Sequence, residues 1–221
     1  MTIIEGSKNR RPDILLYVNG LPLGQIELKA PGEKDPSTAA VNQVRHYVET
    51  IPKLYRYVEI VGVSDLLTAR VGTITTPPEH FAEWKTMSGD DAERGRPQLQ
   101  LMIEGVFAPT RFLDLVRDFV LFETDGARTW KVMAKYHQVH AVHAAVESAA
   151  RAMGTDRRGG LVWHTQGAGK SYTMVFFASK VRRDQRFENP TIVAVTDRTD
   201  LDNQLADTFT GTHLAATCRS Y

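Results

Sequence analysis

The sequence predicts an α/β protein in two parts: a mixed sheet with helices over residues 1–125, then the start of a parallel α/β domain over residues 126–221. Three observations carry this expectation. The dipeptide Asn19-Gly20 separates two strand-like runs, DILLYV at 13–18 and LGQIELK at 23–29, the strongest short-range signal for a hairpin. A proline-opened stretch of helical periodicity then leads into further strand-like runs. In the last third, a short apolar run, a glycine-bearing loop, a helix pattern and a second apolar run follow in the order of one βαβ unit.

The elements follow from local chemistry. Asp35 is a candidate N-cap with Pro36 at the first helical position. Ala40, Val41, Val44, Tyr47, Val48 and Ile51 recur at helical spacing until Pro52 closes the segment. Residues 54–63 (LYRYVEIVGV) and 69–75 (ARVGTIT) read as strands. Pro77-Pro78, Ser88-Gly89-Asp90-Asp91 and Gly95-Arg96-Pro97 mark loops from Thr76 to Gln98, with one short helix at Phe81–Lys85. Pro109 opens an amphipathic helix with Phe112, Leu115, Val116, Phe119 and Val120 on one face, and a second helix is expected from Thr129 to Met153. Thr124-Asp125-Gly126 between them is the expected domain boundary. Leu161-Val162-Trp163 reads as a strand, Thr165–Gly169 as a loop and Lys170–Arg183 as a helix presenting Met174, Phe177, Ala178 and Val181. The run TIVAVT at 191–196 has the pattern of a strand buried on both faces.

Composition narrows the function classes. Over 221 residues, 27 Lys and Arg against 26 Asp and Glu leave a net charge of +1. That balance excludes a polybasic arm or acidic tail but leaves room for a local nucleic-acid groove. Hydrophobic residues at 42% and charged residues at 24% are globular values. The single cysteine, Cys218, can form neither an internal disulfide nor a zinc cluster. No apolar run approaches the ~18 residues of a membrane span, and MTIIEGSKNRR has no signal-peptide core, so the expected compartment is the cytoplasm.

Two constellations carry chemistry. The first is Thr165-Gln166-Gly167-Ala168-Gly169-Lys170-Ser171, which resembles a Walker A phosphate loop. Glycines let backbone N–H groups turn toward phosphate oxygens, and the positive end of the following helix faces the same anion. Lys170 would reach the β- and γ-phosphates of ATP, and Ser171 would hold Mg²⁺. The loop lacks the first glycine of the strict pattern, a departure that helicase-type loops tolerate. Hydrolysis needs a further acidic residue, which helicase-like motors write as Asp-Glu. No such dipeptide occurs in these residues, so binding without turnover is expected.

The second is Pro12-Asp13, thirteen residues, then Glu27-Leu28-Lys29, which matches the PD-(D/E)xK nuclease pattern. Residues i and i+2 of a strand share a face, so Glu27 and Lys29 do. Two nearby carboxylates suit Mg²⁺, with waters completing the octahedron, and Lys29 would position the attacking water. The geometry makes a demand. A plain two-residue turn at Asn19-Gly20 pairs Asp13 with Ile26 and sends it to the face opposite Glu27. A longer loop or a β-bulge restores it, so the hairpin is expected to depart from the plain turn. Taken alone, Lys29 also reads as a solvated strand end paired with Glu27. Gln43 and Tyr47, four apart on the next helix, sit on adjacent turns of one face. On their own they also read as a surface residue and a core residue.

Together these motifs resemble the restriction (R, HsdR-type) subunits of type I restriction–modification enzymes. RPDILLYVNGLPLGQIELKAP is similar to the nuclease core, and NQVRHYV to its Q-x-x-x-Y helix. PEHFAEWKT and GVFAPTRFLDLVRDFVLFE are similar to the connection, and KYHQVHAV to the helix before motif I. WHTQGAGKSYTM is similar to motif I and TDRTDLDNQL to motif Ia. The resemblance implies a PD-(D/E)xK restriction-endonuclease-like sheet followed by the truncated start of a RecA-like, superfamily 2 helicase domain. It implies nuclease roles for Asp13, Glu27, Lys29, Gln43 and Tyr47, with Asp13 and Glu27 holding Mg²⁺. Nucleotide contacts fall on Gly167, Ala168, Gly169, Lys170 and Ser171, and Gln138 would read adenine. Without the resemblance, Gln138 also reads as a polar residue on an exposed helix face. The implied partners are double-stranded DNA and the methylation and specificity subunits, with no membrane. Arg198 reads equally as a DNA-phosphate contact or a solvated loop residue. His137, His140, His143 and His164 lack zinc-ligand spacing. Two other classes stay open: a Mg²⁺ nuclease indifferent to ATP, and a non-catalytic remnant unaffected by Lys29→Ala.

Overall fold

The chain opens on a short hairpin, β1 (Ile3–Glu5) and β2 (Lys8–Arg10), whose sequence carries no strand-like alternation to announce it. The computed structural model describes residues 2–31, 35–89, 93, 95–196 and 199–212. Next come β3 (Ile14–Val18) and β4 (Leu21–Leu28), joined at Asn19 and Gly20. Both turn residues take positive φ, 50° and 84°, the signature of a type I′ turn. Val18 pairs with Leu21 and Tyr17 with Pro22, but Leu16 pairs with Gly24. Leu23 is therefore an extra residue, a β-bulge of the kind the register argument requires. Beyond it the pairs are Leu15–Gln25 and Ile14–Ile26, which brings Asp13 level with Glu27.

Asp35 caps the following helix, its side chain accepting from the Thr38 N–H at 3.3 Å. Helix α1 (Pro36–Thr50) runs to Ile51, and Pro52 opens a second, short helix, α2 (Pro52–Tyr55). Residues 54–63 therefore do not form one strand: the strand β5 covers Ile60–Ser64 and the next, β6, covers Ala69–Gly72. Pro52 has no N–H to give a ladder and is suited to a first helical turn. The sheet has the order β3-β4-β5-β6, with β4 and β5 parallel and the outer pairs antiparallel. One face packs Val61 and Val63 against Ala40, Val41, Val44 and Tyr47 of α1.

The opposite face meets later elements. The helix expected at Phe81–Lys85 is absent. Pro78–His80 form a single 3₁₀ turn, and Ala82 bridges Val71 instead, with Phe81 and Trp84 buried on either side. Helix α3 (Gln98–Met102) continues as a π-helical turn, Ile103–Phe107, into α4 (Pro109–Asp118). Phe107 and Met102 lie over Gly62, and Phe112 over Gly24; a Cβ would stand 2.9 Å from Phe107 at Gly62 and 3.0 Å from Phe112 at Gly24.

Residues 128–133 are a strand, not the start of a helix. Here β7 (Val120–Asp125) and β8 (Arg128–Met133) form a hairpin, with Gly126 at φ 57° in its turn. Thr129, Trp130 and Val132 favour an extended chain. Lys131, buried on β8, pairs with Glu59 at 3.0 Å and donates to the Val58 carbonyl at 2.8 Å. Helix α5 (Tyr136–Met153) then begins.

The chain divides into two compact units, one of Met1–Val120 with Trp130–Tyr136, the other of Leu121–Thr129 with His137–Tyr221. The second unit contains most of α5, then α6 (Lys170–Arg183) and α7 (Thr199–Gly211). The buried side of α6 is Val175, Phe176, Ala178, Ser179 and Val181, whereas Met174 is exposed. Neither 161–163 nor 191–196 joins a sheet, and Leu161 and Val195 are 90% and 88% exposed. The expected βαβ unit is therefore not formed among the described residues. An apolar run encodes a preference for burial, whereas a ladder also needs a neighbour to pair with. Arg198 and Cys218 lie outside the described residues. Among those residues no helix is long and apolar enough to cross a membrane.

Candidate functional site

In the first unit, β4 carries Gln25 and Glu27 along the face covered by α1, and Lys29 follows directly after its end. Glu27 is wholly buried. Gln25 Nε2 donates to its Oε2 at 3.0 Å, and the Tyr47 hydroxyl reaches its Oε1 at 3.4 Å. Lys29 Nζ donates to Gln43 Oε1, and Gln43 Nε2 donates to the Tyr47 oxygen. Asp13, exposed at the open end, accepts from the Leu28 N–H at 2.8 Å through Oδ2. Asp13, Glu27, Lys29, Gln43 and Tyr47 thus form one cluster, drawn from β4, from the residues just before β3 and just after β4, and from α1. Tyr47 serves both readings at once, its ring in the core and its hydroxyl in the cluster. Gln43 is half-buried as a bridge.

The electrostatics follow from burial. Removal from water, with Asp13 alongside, pushes the Glu27 carboxyl from 4.5 up to about 7, against the opposing pull of Gln25 and Lys29. Burial likewise pushes the Tyr47 phenol up. Glu27 is therefore more protonated in the folded chain than in the unfolded chain. Its contribution to stability is full below about pH 4.5 and is lost as the pH rises through about 7. In EDTA, wild type should lose a few kcal/mol relative to Glu27→Gln between about pH 5 and 8. Thermal unfolding of both proteins across that range checks this, and parallel pH profiles would contradict it.

The donor chemistry fits a hard divalent cation. Two carboxylates stand side by side, one of them buried, and a cation would relieve the charge that burial makes costly. Among the described residues no group of three or more His, Cys, Asp or Glu is gathered. Two carboxylates suffice for Mg²⁺, which usually keeps several waters.

The second unit holds the glycine loop. Gly167 and Gly169 sit at φ 78° and 76°, a region that side chains disfavour. Gly169 is also the residue before α6, and a Cβ there would lie 2.8 Å from Gln138 Nε2. Lys170 folds back on the loop, Nζ donating to the carbonyls of Thr165 at 2.9 Å and His164 at 3.2 Å. Ser171 follows at the first turn of α6, half-buried. From α5, Gln138 Nε2 donates to the Gly169 carbonyl at 2.9 Å, and His137 Nε2 lies 3.2 Å from the Ala168 carbonyl. Gln138 is buried, so the expectation of an exposed helix-face residue is corrected: the loop backbone covers it. His164 packs edge-on against His137 at 5.2 Å, and burial, with His137 and Lys170 nearby, draws its imidazole below the usual value. Beside the loop, a groove of about 560 Å³ between α5 and α6 is lined by Ala141, Ala145, Met174 and Phe177 on its apolar side and by Lys170, His164 and Arg151 on its polar side.

Sequence reasoning missed Gln25. A glutamine beside a strand carboxylate carries no motif, and only its complete burial against Glu27 marks it.

Residues 1–80 match the family of type I restriction enzyme R protein N termini, and residues 137–220 match the SWI2/SNF2 ATPase family. The chain is 42% identical over 209 residues to the type I restriction enzyme HindI endonuclease subunit of Haemophilus influenzae, covering 90% of this chain. It is 30% identical over 212 residues to the SauCOLORF180P endonuclease subunit of Staphylococcus aureus strain COL, covering 93%. The aligned part spans about one fifth of these relatives' length, 20% and 21% respectively.

Proposed function

The chain carries the N-terminal region of a type I restriction enzyme R protein, and on that premise we propose that its first unit is a Mg²⁺-dependent endonuclease centre for double-stranded DNA. We read the fold of that unit as PD-(D/E)xK-like and the second unit as the beginning of a RecA-like motor that binds ATP. The observation that carries the reading is the Leu23 bulge, which brings Asp13 level with Glu27 while Lys29 stays on the same face.

Asp13 and Glu27 would hold the cation through carboxylate oxygens, and bound Mg²⁺ would supply Lewis acidity at the scissile phosphate. Lys29 orients the attacking water and stabilises the charge that builds on the phosphate oxygens, where a fixed donor is worth most. Gln43 aims the Lys29 ammonium, and Tyr47 holds Gln43 and Glu27 in one arrangement. In the second unit, the N–H groups around Gly167, Ala168 and Gly169 would bind phosphate oxygens of ATP. Lys170 would exchange its loop carbonyls for the β- and γ-phosphates. Ser171 would supply a hydroxyl for the accompanying Mg²⁺, and Gln138 would read adenine from beside the loop it grips. The chemistry of a type I system then assigns partners: methylation and specificity subunits, with the latter choosing the DNA sequence.

One experiment tests both sites. Cleavage of supercoiled DNA by wild type, Asp13→Ala and Lys170→Ala is measured in Mg²⁺, with and without ATP, in the presence of the partner subunits. Asp13→Ala should abolish cutting under every condition. Lys170→Ala should weaken binding of a fluorescent ATP analogue at least tenfold, the scale of one lost charge-assisted contact. Equal cleavage by wild type and Asp13→Ala would remove the metal-site reading. Cleavage that needs neither ATP nor partner subunits would instead favour a free-standing nuclease.

A further inference from the structure

Gln25 is wholly buried, two residues before Glu27 on β4 and therefore on the same face. Leu15 and Val61 flank it in the sheet, so an apolar side chain would serve the core at that position. The chain places an amide there instead. Gln25 Nε2 donates to Glu27 Oε2 at 3.0 Å, while Gln25 Oε1 has no hydrogen-bond partner. The Tyr55 hydroxyl on α2 is equally buried and equally without a partner. The Gln25 side chain lies close enough to the Tyr55 phenol to draw it down against the upward push of burial, so the two are near neighbours, at a separation longer than a formed hydrogen bond. Buried polar groups are ordinarily satisfied. The Gln25 acceptor and the Tyr55 donor are neighbours, and each has a hydrogen bond still to make.

We propose that Gln25 is a positioning residue for the cation site, its carboxamide holding Glu27 Oε2 so that Oε1 is turned toward Asp13 and the cation, with the Tyr55 hydroxyl donating to Gln25 Oε1 when the cation is bound. This rests on the reading of Asp13 and Glu27 as cation ligands. The Gln25 amide holds Glu27 Oε2 at 3.0 Å, whereas the Tyr47 hydroxyl reaches Oε1 at the longer distance of 3.4 Å. The loosely held oxygen is the one available to a metal. Ligating carboxylates work through such outer partners, which fix their orientation and raise affinity. Drawing Glu27 toward a cation turns the Gln25 carboxamide as one rigid group and brings its Oε1 to the Tyr55 hydroxyl.

Mn²⁺ binding to the full 221-residue chain, followed by electron paramagnetic resonance of the free ion, tests this. The variants are Gln25→Met, Gln25→Asn, Tyr55→Phe and Glu27→Gln, each with thermal unfolding in EDTA. Gln25→Met keeps the volume and removes the donor, and is expected to weaken Mn²⁺ binding about tenfold or more. Gln25→Asn keeps a buried amide but withdraws it from Glu27, and is expected to weaken binding similarly. Tyr55→Phe loses only the hydroxyl and should weaken binding by a smaller factor at unchanged unfolding temperature. Wild-type affinity in both Gln25 variants, with binding lost in Glu27→Gln, would overturn the positioning role and leave the cation site standing. Wild-type affinity in Tyr55→Phe would overturn the part given to Tyr55. Equal Mn²⁺ binding by wild type and Glu27→Gln would overturn the cation reading and this inference with it.

Discussion

Lys29→Ala is expected to reduce Mg²⁺-dependent DNA cleavage by about 10²–10³-fold, the scale of losing one preorganised donor to developing charge. Lys29 follows the row Gln25, Glu27 just past the end of β4, and the Gln43 carbonyl oxygen fixes where its ammonium points. Its contribution is to charge that appears only in the transition state, so ground-state Mn²⁺ binding should survive the substitution. That pairing of lost cleavage with retained metal distinguishes Lys29 from Glu27, whose replacement should lose both. Lys29→Arg should rescue only in part, because a planar fork cannot reproduce a point charge in the same hydrogen bond. Plasmid cleavage with the partner subunits, alongside Mn²⁺ titration, measures both quantities. Cleavage at the wild-type rate in Lys29→Ala would return the residue to its plainer reading as a salt-bridge partner.

Gly105→Ala should be the most damaging small substitution in the first unit. Gly105 lies in the π-helical turn, and a Cβ there would stand 2.2 Å from Trp84 Nε1 and 2.3 Å from its Cδ1. Alanine is the better helix former by about 1 kcal/mol, so intrinsic propensity alone would make the change stabilising. The clash decides the sign. The atoms in the way belong to a rigid indole only 2% exposed, with no free end to swing aside. Overpacking of this kind costs about 3 kcal/mol, which for a unit of this size lowers the unfolding midpoint by roughly 10 °C. Thermal denaturation in EDTA measures it. An unchanged midpoint would show that the indole re-seats without strain.

Local chemistry made much of the site readable. Asp35 and Pro36 announce α1 because a cap and a fixed φ act within one turn. Given α1, Gln43 and Tyr47 share a face; given a strand, so do Glu27 and Lys29. The demand for a bulge was also legible, because parity of register is a matter of counting. Its position at Leu23 was not, since it depends on Gly24 settling beneath Phe112, nearly ninety residues further on. Thr129–Met133 was misread as helix for a related reason. Its apolar spacing suits either period, and what selects the strand is pairing with β7 and the burial of Lys131 against Glu59.

By itself, the sequence determined the inventory: which side chains are candidates to ligate a cation, which loop is a candidate to wrap a phosphate, and where α1, α4 and α6 begin. These follow from residue type and short spacing, the range over which caps, turns and i, i+2 or i, i+4 relations act. The tertiary structure decided which of these groups meet. It brought Asp13 level with Glu27, laid Gln43 and Tyr47 over them, sealed Gln25 beside Tyr55, and set Gln138 under the glycine loop. It also left the apolar runs at 161–163 and 191–196 outside any sheet among the described residues. The physical reason is common to all of these: burial and strand pairing are settled by partners distant in the chain, and an apolar or amide side chain does not name its partner.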